Sequence, residues 1–267
     1  MMKVAHIFYL MLISLPFFSC KKVINVDIKN ASSQIVITGE VTNSSGPYTV
    51  SISSTINFSA ANNFPPVSGA LVTISDNQGL HDLLSEISPG VYATHNYWQG
   101  QPGNTYTLNV SSSGKSYTAV SSMPQPVNMD SVGFQQSLRG GGKQVIEAVA
   151  YFQDPAGVPN YYQFAESIND TVLTKIFIFS DRLSDGKNIS QSLDDDSTDL
   201  QIGNQLTFSM YSIDENVYQY LNELRQLLDA NPFNEATPAN PDSNISGGAL
   251  GYFSAHTIQT KRLTVHL

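Results

Sequence analysis

The side chains able to do chemistry are few and scattered. The five histidines are His6, His81, His95, His256 and His266. No two stand four residues apart on a helical pattern, and HExxH is absent. His81 and His95 fall on neighbouring predicted strands, so a shared metal is weighed against two ordinary strand histidines, and the second reading is preferred. The acidic run Asp194-Asp195-Asp196, with Asp199, offers carboxylate oxygens of the kind calcium takes. It has neither the spacing nor the turn glycine of an EF-hand loop, and a solvated loop is preferred. In Ser180–Gly186 (SDRLSDG), Asp181, Asp185 and Gly186 read first as chain-turning residues, with Arg182 available to pair an acid. Nucleophilic catalysis finds no support: GxSxG is absent, and SxxK occurs without a helix to carry it. The glycine-rich Ser137–Lys143 (SLRGGGK) lacks the order of a phosphate loop. Tyr97 and the only tryptophan, Trp98, follow a predicted strand. Such a pair stacks on a sugar, anchors a partner, or caps the end of a β-sandwich. The expectation is a protein without catalytic residues, metal or cofactor.

The single cysteine carries the sharpest chemistry. Met1–Cys20 reads MMKVAHIFYLMLISLPFFSC. Lys3 gives a positive start, Val4–Phe18 is an apolar run of signal-peptide length, and Ser19 precedes Cys20. The run is short for a membrane span and is followed at once by Lys21-Lys22. The arrangement resembles the lipobox of bacterial lipoproteins, with Phe17 and Phe18 in the relaxed form seen in Bacteroidota. The resemblance implies cleavage before Cys20 and acylation of its thiol. Two or three acyl chains hold far more firmly than one, because each buried CH₂ contributes about 0.8 kcal/mol. Lys21 and Lys22 stand where surface-exported lipoproteins of that group carry acids, so the periplasmic face of the outer membrane is favoured over the cell surface.

The elements that position these residues are mostly strands. The chain has 267 residues, a net charge of −9 and only 13% charged residues. The acidic balance argues against nucleic acid as a partner. One cysteine excludes a disulfide framework. After a linker over residues 20–33, seven short runs alternate and are separated by turn residues. They are Gln34–Thr42, Tyr48–Ser53, Ala70–Asp76, Leu80–Ser85, Val91–His95, Thr105–Ser111 and Lys115–Val120. This predicts a seven-stranded immunoglobulin- or transthyretin-like β-sandwich over residues 34–123. Met123-Pro124-Gln125-Pro126 marks a boundary. Residues 127–267 then read as a β-rich domain with strands at Met129–Phe134, Gln144–Gln153, Tyr161–Ile168, Thr171–Ser180, Gln205–Tyr211 and Thr257–Val265. One amphipathic helix falls at about residues 213–229, with Ser212 as N-cap and Glu215 closing a capping box.

Pro66–Gly79 (PVSGALVTISDNQG), Pro89–Thr94 and Gly103–Val110 resemble transthyretin-like and carboxypeptidase-regulatory β-sandwich modules. Over nearly the whole mature chain, a wider set of motifs resembles the Bacteroidota lipoprotein family known as domain of unknown function 4249. The set is the lipobox, GEVT…GPYTVSIS, FSDRLSDG at Phe179–Gly186, the capped helix, and NISGGALGYF at Asn244–Phe253. The resemblance implies an outer-membrane lipoprotein, held in the membrane by its N-terminal lipid and associated with a TonB-dependent receptor. It transfers no catalytic residue. Three functions therefore stand side by side. They are a non-catalytic accessory lipoprotein of a TonB-dependent transport system, a free-standing carbohydrate- or peptide-binding lipoprotein anchored on Tyr97 and Trp98, and a hydrolase with an unfamiliar site. The first is preferred.

Overall fold

The computed structural model describes residues 33–56, 64–193, 198–229 and 239–267. Within Ser33–Leu267 the chain forms one compact unit. Its first strands are β1 (Ile35–Thr42), β2 (Thr49–Ser54), β3 (Leu71–Asp76), β4 (His81–Leu83), β5 (Ser85–Ser88), β6 (Val91–Ala93), β7 (Thr105–Ser112) and β8 (Lys115–Ser122). There follow β9 (Met129–Arg139), β10 (Lys143–Gln153), β11 (Tyr161–Ile168), β12 (Thr171–Val172), β13 (Phe177–Ser180), β14 (Asn188–Leu193) and β15 (Gln205–Ile213). The helix α1 (Glu215–Leu228) and the 15-residue strand β16 (Leu250–Thr264) complete the order. The fold is mainly β, sandwich-like, with one α-helix among the described residues.

Three sheets are present. A nine-stranded sheet runs β12-β11-β15-β16-β1-β2-β6-β5, with β13 also on β11. A four-stranded sheet, β4-β3-β7-β8, covers one half of it, and a three-stranded sheet, β14-β10-β9, covers the other. The alternation decides which face each side chain meets. Ile37 and Val41 of β1 and Val50 and Ile52 of β2 point inward against Val72, Ile74 and Leu108. Phe152 of β10 meets Tyr162, Phe164 and Phe208 in a second apolar core.

The first core draws on residues up to Met123 together with Ile245, Ala249, Phe253 and Ala255, the second on residues from Val127 onward, and one strand joins them. Leu250–His256 of β16 pairs in parallel with β1. Thr257–Thr264 pairs antiparallel with β15. Thus β16 starts seven residues before the Thr257 expected from the sequence. Among the described residues its first part has no strand on its second edge, and side chains serve that edge instead. Asn244 Oδ1 accepts from Phe253 N at 3.0 Å, and Asn244 Nδ2 donates to Phe253 O at 2.7 Å. Ser243 Oγ donates to Gly251 O, and Ala255 N donates to Ser121 Oγ. Backbone groups so served are not left unpaired.

Other departures have local causes. The run Leu80–Ser85 splits because the chain crosses from one sheet to the other: β4 pairs β3, while β5 pairs β6. The expected strand Thr171–Ser180 is two pieces, both paired to β11. Strand β14, unforeseen, has only Ile189 and Leu193 as apolar residues and pairs the edge of β10. The helix cap is Asp214, not Ser212. Ser212 remains in β15 opposite Thr257, because Ile213 is buried beneath the helix and keeps the strand going. Asp214 then accepts from Val217 N at 2.9 Å. Val217 and Leu221 pack with Ile213 on the face of the nine-stranded sheet away from the sandwich cores. Asn231-Pro232, whose proline cannot continue a helix, lies outside the described residues.

Candidate functional site

The helix side of the nine-stranded sheet carries two concavities. The larger is a cleft of about 680 Å³ beside α1. Its walls include Tyr161, Asp181, Arg182, Asp185, Glu215 and Tyr218. Tyr161 and Tyr218 stand with ring centroids 5.1 Å apart. Burial, and then the Glu215 carboxylate, raise the pKa of the Tyr161 phenol.

The rim of this cleft is set by three aspartates that tie two loops together. Asp154, Asp181 and Asp185 bring carboxylate oxygens within 4.8 Å of one another. Asp154 accepts from the Tyr162 hydroxyl and from Gly186 N at 3.0 Å. Asp181 accepts from Asn160 N at 2.9 Å, and Asp185 accepts from Gly157 N at 2.8 Å. The motif Phe179–Gly186 therefore fastens the loop after β10 to the loop after β13. Burial, reinforced by the hydrogen bond to Asp154, raises the pKa of the Tyr162 phenol strongly. A hard cation needs about six to eight oxygens. Both oxygens of Asp154 already serve protein donors, so the cluster reads as a loop fastening.

The second concavity, about 310 Å³, lies over the middle of the sheet. His256 and Ser254 line it from β16, with Tyr252, Tyr211 and Glu40 around them. Ser254 Oγ and His256 Nδ1 are 2.9 Å apart, and the His256 ring meets Tyr211 edge-on at 5.3 Å. Only 5% of His256 is exposed, and its Nε2 has no hydrogen-bond partner among the described residues. Leaving such an atom unpaired costs about 1–3 kcal/mol. Burial lowers the His256 pKa to about 4, so the ring is neutral at neutral pH. A base that weak suits proton abstraction poorly, and Ser254 is itself buried.

The residues singled out in the sequence separate in space. Trp98 turns into the end of the first sandwich, edge-on to Tyr48 at 4.5 Å and stacked on Tyr106 at 6.0 Å. Its Nε1–H donates to buried Asp82 at 2.9 Å. Tyr97 is 74% exposed and does not join it in a platform. We expect Trp98→Phe to lower stability by about 1–3 kcal/mol, by leaving the Asp82 carboxylate without that donor. Tyr97→Ala should leave the urea midpoint unchanged. His81 is in β4, and His95 contacts Ser85 and the carbonyl of Leu83, also in β4. Asp199 pairs with Arg139 at 2.7 Å and with Lys143. The Lys143 hydrogen bond lowers the Asp199 pKa. Asp194, Asp195, Asp196 and Cys20 lie outside the described residues.

The sequence reading missed the pocket over His256. The available signal was the alternation itself: Tyr252, Ser254 and His256 share one face of β16, and Thr38 and Glu40 share the same face of β1.

A mainly β protein of two sandwiches threaded by one strand, with a helix and two polar concavities on its outer face, is the class these features define. The chain belongs to the family described as Domain of unknown function (DUF4249), whose match spans residues 21–262. No curated protein matches it.

Proposed function

We propose that this protein is a lipid-anchored, non-catalytic accessory protein of the outer membrane. It binds a TonB-dependent transporter, and the cleft beside α1 is its docking surface. The observation that carries this reading is the cleft itself. Its loops are fastened by Asp154, Asp181 and Asp185, so it is formed before a partner arrives. Tyr161, Tyr218 and Arg182 are of the residue types that dominate binding energy at interfaces. The anchor rests on Cys20 and the apolar run before it. No helix among the described residues is long and apolar enough to cross a membrane. Trp98, committed to Asp82 and the sandwich end, is not a free stacking platform, which weighs against the reading that rested on it.

Cys20→Ala should leave the protein soluble or uncleaved, read by membrane fractionation and intact mass. A variant still recovered as an acylated, processed membrane protein would overturn the anchor. The docking reading is tested by cross-linking in native outer membranes, purification through a C-terminal tag, and mass spectrometry. One TonB-dependent receptor should be recovered, and Gln219→Arg, at an exposed helix position in the cleft, should reduce its yield. Recovery of the lipoprotein alone would overturn it.

A further inference from the structure

We propose that the pocket over His256 binds a small hydroxyl-rich ligand the size of a single sugar ring. This site is separate from the cleft beside α1 and does not depend on a docked partner.

His256 lines the concavity, and its Nε2 is buried and has no hydrogen-bond partner among the described residues. Buried polar atoms are nearly always hydrogen-bonded, so an exception calls for a group that supplies the bond. The ring is neutral, and Ser254 Oγ occupies Nδ1. If the serine hydroxyl donates to Nδ1, then Nε2 carries the proton and must donate. If Nδ1–H donates to the serine, then Nε2 must accept. A hydroxyl group satisfies either tautomer, because it both donates and accepts.

The surrounding chemistry agrees. Glu40 offers a carboxylate acceptor at the side of the pocket, and Gln163 offers an amide that donates and accepts. Glu40 keeps exposed surface, desolvation raises its pKa, and its charge raises the pKa values of Tyr211 and Tyr252. The two tyrosine rings give flat apolar surface for the C–H face of a sugar ring. No Lys or Arg lines the pocket among the described residues, and Glu40 repels anions. One carboxylate is too few for a divalent cation. The volume, about 310 Å³, is at the lower end of ligand pockets, about 300–1,000 Å³, which restricts the ligand to a small ring.

The test uses the full chain, ¹⁵N-labelled and purified. D-glucose, D-galactose, D-mannose and N-acetyl-D-glucosamine are each titrated while the His256 side-chain resonances are followed by NMR. At least one sugar should shift Nε2 saturably. Loss of the charged acceptor in Glu40→Gln should weaken its binding about tenfold or more. Ser51→Trp, at an exposed strand position on the pocket wall, should abolish the shift with the fold retained by circular dichroism. If no sugar moves the resonance, or if the shift persists in Ser51→Trp, the proposal fails. A single trapped water on Nε2 would then account for the cavity.

Discussion

Replacing Gly251 with alanine is expected to remove a large part of the protein's stability. Gly251 has φ +92°, a conformation that L side chains rarely adopt. It sits in β16 directly opposite Ile37 of β1 in the parallel ladder. A Cβ there would drive into the Ile37 carbonyl oxygen and approach the Ile37 carbon at 2.9 Å, and both are backbone atoms that cannot swing away. The positive φ alone costs of order 1–3 kcal/mol. Relief of the clash would require β1 and β16 to separate, and that pairing joins the two sandwiches. We expect a total above about 3 kcal/mol, a large fraction of the roughly 5–15 kcal/mol that holds a domain together. At about 2–4 °C per kcal/mol for a chain of this size, the melting temperature should fall by roughly 6–12 °C or more. Gly248→Ala is the control. Gly248 has φ +79° but open space where a Cβ would stand, so it should show the conformational cost without the clash. Equal losses in the two variants would mean that the close approach of Gly251 to Ile37 is not what holds β16 in place.

That expectation gives the motif Asn244–Phe253 a physical meaning that its letters hide. Three glycines and Asn244 in ten residues are the composition of a loop. In the fold, Asn244 acts as a strand partner for Phe253, Ile245 enters the first core, and Ser246 N donates to Thr118 O of β8. The segment closes the sandwich. Period-2 alternation was enough to find most strands, because one face of each meets an apolar core. It could not place β14, whose polar sequence is paired only at an edge. Nor could it show that Leu84 lies where the chain changes sheets, since Asp82 and Leu84 keep the alternation through the crossing. Ser212 and Asp214 both suit a helix cap, and the choice between them was made by the burial of Ile213, a tertiary fact. Local chemistry said that Trp98 followed a strand. Only the packing shows that Tyr48, Tyr106 and Asp82 surround it.

Acidification should expose the cost of keeping His256 neutral. Burial lowers its pKa to about 4 in the folded protein, against 6.5 for an ordinary histidine. Between these values the unfolded chain binds a proton that the native state refuses, so stability falls as pH drops from 6.5 toward 4 and changes no further below that. At about 1.4 kcal/mol per pH unit, the full loss is about 3 kcal/mol. The groups facing His256 offset part of this. Tyr211 and Tyr252 have raised pKa values and remain neutral, and burial raises that of Glu40. A raised carboxyl, Glu40 or the buried Asp214, favours the folded state as pH falls and so works against the histidine, not with it. Urea midpoints measured from about pH 7 to pH 5 bracket most of the histidine window while keeping above most carboxylate titration. The histidine alone accounts for a loss of about 1.6 kcal/mol from pH 6.5 to pH 5, so wild type should lose more than His256→Phe by about that amount over the same range. Parallel slopes would show that the native protein admits the proton, and hence that water reaches Nε2. Under the ligand proposal, a hydroxyl-rich ligand bound to the neutral ring lowers the His256 pKa further, so saturation should deepen the acid loss below pH 4 and raise stability at neutral pH by the binding term.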